Sequence, residues 1–374
     1  MRILYDYQIF IYQNWGGISR YFSEIIKRFP SDFIPTVGIK TSSNLFADSF
    51  PNVARPGGLF SDAFPFPACI KRSRIYNTLK VFWLRSLNKK FYKALLLQKE
   101  YDLVHITLDF EDWWLPCLGT TPFVYTVHDL IPEFFWNNPV YLQKRKTLAA
   151  KAARVIAVSE NTKRDCVRLF GIPEEKVDVI YHAPSVQESG GRQVNPAGDY
   201  LLYVGTRNRQ KNFIWFVTAL APLLKGRCDL KLMCTGNDFS KEERTLLERL
   251  GVVRQVTARF FDEDEMFDLY RHARAFIYPS RYEGFGLPIL DAFKAGCPVL
   301  LANGSCFPEV GADAARYFIL DDADSLLTQV IDLIDNPVLR KTLIEKGRER
   351  VKLFSWDDAA RKTADVYRCA IKGY

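Results

Sequence analysis

Closely spaced cysteines are missing from this 374-residue sequence, and histidine is scarce. None of the eight cysteines belongs to a Cys-x-x-Cys motif, and the four histidines are His105, His128, His182 and His272. Zinc sites need clustered Cys and His ligands, and disulfide-stapled secreted domains are dense in cysteine. We therefore predict that the protein has no metal site. We interpret the cysteines as reduced, buried thiols of a cytosolic protein.

Long apolar runs are also missing. No stretch approaches the roughly 18 apolar residues of a membrane-spanning helix. The first 17 residues, MRILYDYQIFIYQNWGG, contain neither an uninterrupted apolar region nor a small-residue cleavage pattern typical of a signal peptide. We expect a cytoplasmic protein, with any membrane contact peripheral on the cytoplasmic face of the inner membrane.

Acidic residues are outnumbered, which leaves a net charge of +8. The excess of Lys and Arg indicates an anionic ligand, but it accompanies no nucleic-acid-binding motif, so we predict no nucleic-acid partner. A chain of this length exceeds one ordinary hydrophobic core, and we expect two domains.

Strand-like and helix-like segments alternate along the chain. In the first half, Met1–Tyr5 is strand-like, and the apolar residues of 18–29 have helical spacing. Segment 184–199 interrupts the alternation because it is rich in Pro, Gly, Ser and Asn, as linkers are. The alternation restarts with strands predicted near 200–204, 229–234, 275–278 and 298–301. Helices are predicted near 212–224, 240–250, 263–272, 288–295, 323–335 and 338–352.

Repeated strand-then-helix order predicts an α/β fold of two doubly wound, Rossmann-like domains with parallel sheets. We assign 1–183 to an N-terminal acceptor domain and 200–355 to a C-terminal nucleotide-binding domain, joined by the linker 184–199. In such sheets ligands bind beyond the carboxyl ends of the strands.

The segment PSRYEGFGLPILD at 279–291 is the most informative one. Gly284 and Gly286 permit a tight turn and close approach to a ligand, and the helix start that follows is a natural seat for a diphosphate. Glu283 and Asp291 bracket this seat, and carboxylates accept hydrogen bonds from sugar hydroxyls. The order hydroxyl, phosphate, hydroxyl predicts a sugar nucleotide as the ligand. The alternative is a glycine turn whose acids cap a helix.

Cations follow the strand that opens the second half. Arg207, Arg209 and Lys211 come just after Gly205 and can neutralise a diphosphate leaving group. The alternative is a solvated basic loop.

The first half contributes two further candidates. His128 follows the predicted strand 123–127 and is placed to hydrogen-bond a sugar hydroxyl. Gly16 and Gly17 come just before the first long helix, where backbone can approach the acceptor or the phosphates.

Together these segments resemble family 4 of the retaining glycosyltransferases, which have the GT-B fold. The segments that carry the resemblance are GGISRYF at 16–22, TVHDLIPEFF at 126–135, the stretch 157–184, YVGTRNRQKNF at 203–213 and, most specifically, 278–318. The resemblance implies two Rossmann-like domains facing each other across a cleft. It also implies that the final helix, in 356–374, crosses back onto the N-terminal domain.

The resemblance further implies roles for individual residues. Glu283 would contact the donor sugar, Asp291 the ribose, Lys211 and an arginine, preferably Arg207, the diphosphate, and His128 the transferred sugar. The remaining residues predicted to bind the donor are Gly17, Gly205, Arg209, Gly284, Phe285, Gly286 and Leu287. The chain departs from the family pattern at Asp291, where a glutamate is usual, so the ribose contact is expected to be weaker or redirected.

The predicted reaction is transfer of a hexose with retention, assisted by the leaving diphosphate, without a cofactor or a metal. The Asp262-x-Asp264 string precedes a helix and is interpreted as a helix start. The resemblance to bacterial O-antigen and polysaccharide mannosyltransferases favours GDP-mannose as donor and a lipid-linked surface glycan as acceptor. The alternatives are a UDP- or dTDP-sugar donor, a phosphorylase, an epimerase, and a non-catalytic sugar-nucleotide-binding paralogue.

Segment 71–99 is basic and contains no acid, and its apolar residues have near-helical spacing. A basic amphipathic helix is typical of membrane-surface contact, which would suit a lipid-linked acceptor. A solvated basic face on a packed helix is the equally weighted alternative.

Overall fold

The computed structural model describes residues 1–51, 53–57, 70, 73–188 and 198–373, and among them two parallel sheets of six strands. The first sheet has the order β2-β1-β3-β4-β5-β6. Its strands are β1 (Arg2–Tyr5), β2 (Ile34–Val37), β3 (Leu103–Ile106), β4 (Phe123–Val127), β5 (Arg154–Ala157) and β6 (Val177–Val179). Strands β3 and β4 are buried along their whole length, as expected where helices cover both faces of a parallel sheet.

Helices of the first half connect these strands. The described ones are α1 (Gln8–Tyr12), α2 (Gly17–Ile26), α3 (Arg74–Gln98), α4 (Ile131–Phe135), α5 (Pro139–Lys151) and α6 (Glu160–Phe170). In α2, Tyr21, Phe22 and Ile25 share one face and are fully buried, which confirms the helical pattern. None of the described helices combines the length and the apolar character needed to cross a bilayer.

The second sheet has the order β12-β11-β10-β7-β8-β9. Its strands are β7 (Tyr200–Tyr203), β8 (Lys231–Thr235), β9 (Val256–Arg259), β10 (Ala275–Tyr278), β11 (Val299–Ala302) and β12 (Arg316–Phe318). Strand β10 pairs with β7 in the register Ala275 opposite Leu201. The loops after β7 and β10 therefore leave the sheet side by side, at the point where the strand order reverses and ligands of such sheets bind.

The second half contains the predicted helices within two residues of the expected bounds. They are α7 (Phe213–Gly226), α8 (Lys241–Leu250), α9 (Glu263–Arg271), α10 (Leu287–Ala295), α12 (Ala323–Asp335) and α13 (Pro337–Val351). The short helix α11 (Phe307–Gly311) was not predicted.

The last helix, α14 (Trp356–Lys372), returns to the first half, as predicted. It packs on α2, and the Tyr367 hydroxyl hydrogen-bonds the Tyr5 hydroxyl at 2.7 Å and His105 Nδ1 at 2.5 Å. These three side chains are fully buried, so α14 is part of the first domain's core.

Some elements were not predicted, and one prediction about the thiols was wrong. The edge strands β9 and β12 and helix α5 escaped notice, because edge strands are short and partly polar and α5 has a weak apolar stripe. All cysteines in the described residues are free thiols. Cys228 and Cys369 are exposed, whereas all cysteines were predicted to be buried. Residues 189–197 of the predicted linker lie outside the described residues.

Candidate functional site

The carboxyl ends of the two sheets face each other and meet at Gly284. A methyl group on Gly284 would lie 1.7 Å from the carbonyl oxygen of His128, so the two backbones are in direct contact. From α6, Ser159 Oγ at 2.7 Å and Thr162 Oγ1 at 3.0 Å donate hydrogen bonds to the carbonyl oxygen of Gly284. Only glycine fits between these groups, which explains the close approach expected from the sequence.

Lys211 and Glu283 form an ion pair at this contact. Lys211 Nζ lies 2.7 Å from Glu283 Oε1 and donates a hydrogen bond to the Tyr278 hydroxyl at 2.9 Å. The side chains of Lys211 and Glu283 are only 16% and 10% exposed, so their charges are poorly solvated. The structure thus brings together two of the predicted site residues, from the loops after β7 and β10.

The N-termini of two helices approach each other beside this ion pair. Gly286 caps α10 with left-handed backbone (φ +90°), and Gly16 is the N-cap residue of α2, so neither cap supplies a side chain to the first amides. Gln13 Oε1 accepts a hydrogen bond from the Ser19 amide of α2 at 3.4 Å. A methyl group on Gly17, at the start of α2, would lie 3.0 Å from Leu287 Cδ1. Two helix starts with glycine N-caps therefore direct their positive dipole ends toward the cleft, an arrangement suited to an anion.

His128 has a half-buried ring without a polar partner. Both ring nitrogens are covered, and neither makes a hydrogen bond within the described part of the chain. Burial lowers the pKa of the His128 imidazole to about 3, with smaller contributions from His105 and Arg145, so the ring is neutral near pH 7. A buried, unpaired polar group in a cavity wall is a group that a ligand can satisfy.

Two cavities flank the Gly284 contact. One, of about 310 Å³, lies on the first domain and is lined by His128 and Thr126. The other, of about 810 Å³, is lined by Gly205, Thr235 and Gly236. Residues near Lys211 in the chain line both cavities, since Gln210 lines the smaller one and Asn208 the larger one.

The larger cavity also contains two aromatic residues that sequence reasoning missed. Trp15, from the first domain, and Phe260, from the second, are 46% and 65% exposed, and their rings meet edge to face at 6.5 Å. These residues could have been identified only from the solvent exposure of their large aromatic side chains. A sequence does not show which side chains are exposed.

The structure separates the two arginines of the predicted diphosphate site. Arg207 donates to Glu243 Oε1 at 2.8 Å and to the carbonyl oxygens of Asn237 and Asp238 at 2.7 and 3.0 Å. The third nitrogen of the guanidinium, Nη1, takes part in none of these bonds and lies near Gly236, at the wall of the larger cavity. Arg209 does not line the larger cavity, but together with Arg207 and Trp215 it lines a neighbouring groove, so its predicted contact with the diphosphate stays a prediction.

The carboxylate of Asp291 accepts hydrogen bonds from the segment that joins the domains. Its Oδ1 accepts from the backbone amides of Ser185 and Val186 at 2.6 and 3.1 Å, and its Oδ2 accepts from the Ser185 hydroxyl at 2.8 Å. Burial raises the pKa of the Asp291 carboxyl, and these hydrogen bonds oppose the rise. Asp291 therefore fastens the interdomain segment, and its contact with a ribose stays a prediction.

Phe285 was predicted to bind the donor, and the structure buries its side chain at the contact between the domains. Its ring is 3% exposed and packs on the rings of His182, Tyr181 and Phe354, with centroid distances of 5.0, 5.8 and 5.9 Å. The ring holds the two domains together, because it inserts between the interdomain segment and the end of α13. Only the backbone of Phe285 remains for a donor.

Comparisons with known proteins agree with this architecture. Residues 15–187 match the family model described as Glycosyltransferase Family 4, and residues 189–350 match the one described as Glycosyl transferases group 1. O-antigen chain mannosyltransferase B of Escherichia coli is 29% identical over 66% of this chain and 70% of its own length. O-antigen chain mannosyltransferase RfbU of Salmonella typhimurium is 29% identical over 54% of this chain and 57% of its own. Anabaena HepE, solved in complex with UDP and glucose, superposes with a TM-score of 0.72 at 18% identity over 98% of both chains, which shows a shared fold.

Proposed function

Since this chain belongs to glycosyltransferase family 4 and has the GT-B fold, we propose that it transfers mannose from GDP-mannose to a bacterial surface glycan, with retention at the anomeric carbon. The observation that carries the proposal is the poorly solvated Lys211–Glu283 pair beside two helix starts whose N-cap residues are glycines. A sugar nucleotide has the matching sequence of groups, with hydroxyls for the carboxylate and a diphosphate for the cation and the amides.

The donor lies along the larger cavity in this proposal. The nucleoside lies in the larger cavity against Trp15 and Phe260, and the diphosphate extends toward the start of α10 and Lys211. Arg207 contributes its remaining Nη1 at the cavity wall. Glu283 then accepts hydrogen bonds from the hexose hydroxyls, and the ion pair with Lys211 orients this carboxylate.

Charge stabilisation on the leaving group is the proposed source of catalysis. As the anomeric bond breaks, negative charge grows on the diphosphate, and Lys211 and the helix amides already point at it. The leaving phosphate takes the acceptor's proton on the same face, which gives retention. Neutral His128 both donates and accepts hydrogen bonds, so it orients the transferred sugar without serving as a cation.

Mannose is proposed from the relatives' names, since the two O-antigen enzymes are mannosyltransferases. Guanine is proposed from the family resemblance of the sequence alone. A UDP-hexose is the second candidate donor, because the HepE structure contains UDP and glucose. The proposed reaction needs no divalent cation, because Lys211 and the helix starts neutralise the diphosphate. Asp262, the first residue of the Asp-x-Asp string, is the N-cap of α9 and accepts a hydrogen bond from the Glu265 amide at 2.9 Å.

A thermal-shift panel identifies the donor. We expect GDP-mannose at 100-fold its Kd to raise the melting temperature by about 4 °C, since binding to the native state alone adds about 2.7 kcal/mol. UDP-glucose and dTDP-glucose at equal concentration should shift it less, and mannose alone not at all. The shift and the transfer rate should persist in EDTA. A larger shift with UDP-glucose would replace the proposed donor, and loss of transfer in EDTA would reject the metal-free reaction.

Helix α3 supports a lipid-linked acceptor. Ile75, Leu79 and Phe82 are 74%, 55% and 69% exposed, and the exposed Lys90 and Lys93 continue the same face, within roughly 80° around the axis. Two other basic residues of α3 contact protein groups instead. Arg85 pairs with Glu111 at 2.6 Å, and Lys89 lies over the Trp113 ring. Lys71, Arg72 and the Arg74 side chain lie outside the described residues. We propose that this face of α3 contacts the anionic inner-membrane surface.

Vesicle sedimentation measures this contact. We expect wild-type protein to bind vesicles containing anionic lipid, and Lys90→Glu/Lys93→Glu to bind at least tenfold more weakly, since each lysine contributes about 1 kcal/mol near such a surface. Phe82→Ser should weaken binding on all vesicles because apolar insertion is lost. Val338→Ser, at an equally exposed apolar residue on the second domain, is the matched control. Equal binding by all four proteins would remove α3 from the proposal.

A further inference from the structure

Four aromatic rings border the smaller cavity on the side away from Gly284. They form a chain of contacts in which Tyr12 meets Phe110 at 5.1 Å, Phe110 meets Tyr141 at 6.0 Å, and Tyr141 stacks on Trp136 at 5.6 Å and 28°. All four line the cavity with His128. Trp136 and Phe110 are 47% and 40% exposed, so they present ring surface to solvent. We call this set of four residues the aromatic rim.

The aromatic rim is anchored from beneath by a buried charge network. Asp109 accepts hydrogen bonds from the Tyr141 and Tyr125 hydroxyls and pairs with Arg145 at 2.9 Å. Arg145 also pairs with Glu133 at 2.5 Å, and its side chain is 3% exposed. Because Tyr141 is fixed, the Trp136 ring stacked on it is oriented before any ligand binds, and the entropic cost of binding falls.

The charges near the aromatic rim are unfavourable for an anion. Asp109 and Asp129 line the cavity, and the only cation in its described lining, Arg145, is matched by two carboxylates. The nearest other cation, Lys144, donates to the Phe110 carbonyl oxygen at 2.6 Å and lies over the Tyr141 ring. A phosphate or carboxylate placed here would meet negative charge without a free cation in the described structure.

A neutral sugar ring fits the same surroundings. One face of a pyranose carries mainly C–H groups and buries well against aromatic rings, and its hydroxyls can reach the amides of Gln13 and Gln210 and the His128 ring. A cavity of about 310 Å³ is at the small end for a ligand site. It accommodates one sugar ring rather than several.

We propose that the aromatic rim binds the terminal, uncharged pyranose of the acceptor glycan by stacking, with Trp136 as the principal contact and Asp109 as a positioning residue for Tyr141. The inference rests on the proposed function, because it places this ring with a hydroxyl toward the His128 end of the cavity, where the donor sugar would arrive. It selects neutral glycan acceptors over sugar phosphates.

The experiment measures glycan binding directly, by saturation-transfer NMR in the presence of GDP. The probes are methyl glycosides of mannose, glucose, galactose, N-acetylglucosamine and rhamnose, with mannose 6-phosphate as the charged counterpart. We expect at least one neutral glycoside to bind, Trp136→Ala to weaken that binding at least fivefold, and Trp136→Phe to restore part of it. Phe134→Ala is the matched control. Phe134 is 43% exposed, two residues away in the chain, and packs on Tyr282 at 4.8 Å instead of lining the cavity.

Three results would overturn the proposal: no neutral glycoside binds, Trp136→Ala binds as well as the wild type, or mannose 6-phosphate binds more tightly than any neutral glycoside. Failure of the glycosyltransferase proposal appears elsewhere, as a thermal-shift panel in which no sugar nucleotide stabilises the protein. The melting temperature of Trp136→Ala should stay within about 2 °C of the wild type, which separates lost binding from lost folding.

Discussion

Lys211→Met should lower kcat by about 10³-fold, because it removes the cation that faces the growing charge on the leaving diphosphate. Loss of one preorganised electrostatic contact of this kind typically costs about 10²–10³ in rate. The same variant should unfold more easily, since Glu283 is left as a poorly solvated charge without its partner at 2.7 Å. Steady-state kinetics with saturating donor measure the first effect, and thermal unfolding measures the second.

A double variant separates the two effects. Lys211→Met/Glu283→Gln removes both charges, so it should recover most of the lost stability while transfer remains at the level of the single variant or below. Arg227→Met is the matched control, since Arg227 forms an ion pair with Asp335 at 35% and 48% exposure in the same domain and should leave turnover unchanged. Near-normal kcat in Lys211→Met would remove this residue from the catalytic site.

Gly284→Ala should abolish transfer and destabilise the protein by about 3 kcal/mol or more, through a collision of backbones. The added methyl would lie 1.7 Å from the His128 carbonyl oxygen, and backbone cannot turn away as a flexible side chain can. Retreat of the Gly284 loop would break the hydrogen bonds from Ser159 and Thr162. A displacement of about 1 Å between reacting groups is enough to cost 10²-fold in rate.

The control for this variant is another glycine of the same domain. Gly226→Ala, at the end of α7, meets no atom within 4 Å and should keep full activity, with stability unchanged or slightly raised. Transfer and the thermal midpoint are measured for both proteins. If Gly284→Ala kept the wild-type midpoint and rate, the two domains would not meet at this residue in solution.

The elements predicted from sequence are those with strong local signals. Strand β10 is a continuous apolar run, α10 begins with Gly286 and Pro288, and α2 carries its apolar residues on one face. Each signal is contained within about ten residues, so no knowledge of distant contacts was needed. The edge strands β9 and β12 lack such a signal and were missed.

The predicted site residues divide in the same way, into residues that a local motif indicated and contacts that no local motif indicates. Glu283 and Lys211 were recognised, and the structure places them in contact. The Arg207 guanidinium, by contrast, is largely occupied by Glu243 and two carbonyl oxygens, the Phe285 ring is enclosed between domains, and Asp291 holds Ser185 and Val186. These partners lie 30 to 106 residues away for Arg207, Phe285 and Asp291, and no local pattern indicates them.

The sequence by itself determined the two parallel α/β sheets and the types of residue at the site, because these follow from periodicity, glycine positions and charge near strand ends. The return of the last helix was implied by the family resemblance alone. Only the tertiary structure decided which charges are paired, which aromatic rings border a cavity, and that His128 and Gly284 touch. Those properties depend on the distance between groups remote in the chain, and such distances exist only after both sheets have packed. The aromatic rim is the clearest example. Its four rings come from α1, the loop after β3, the end of α4 and α5, and these segments share no pattern along the chain.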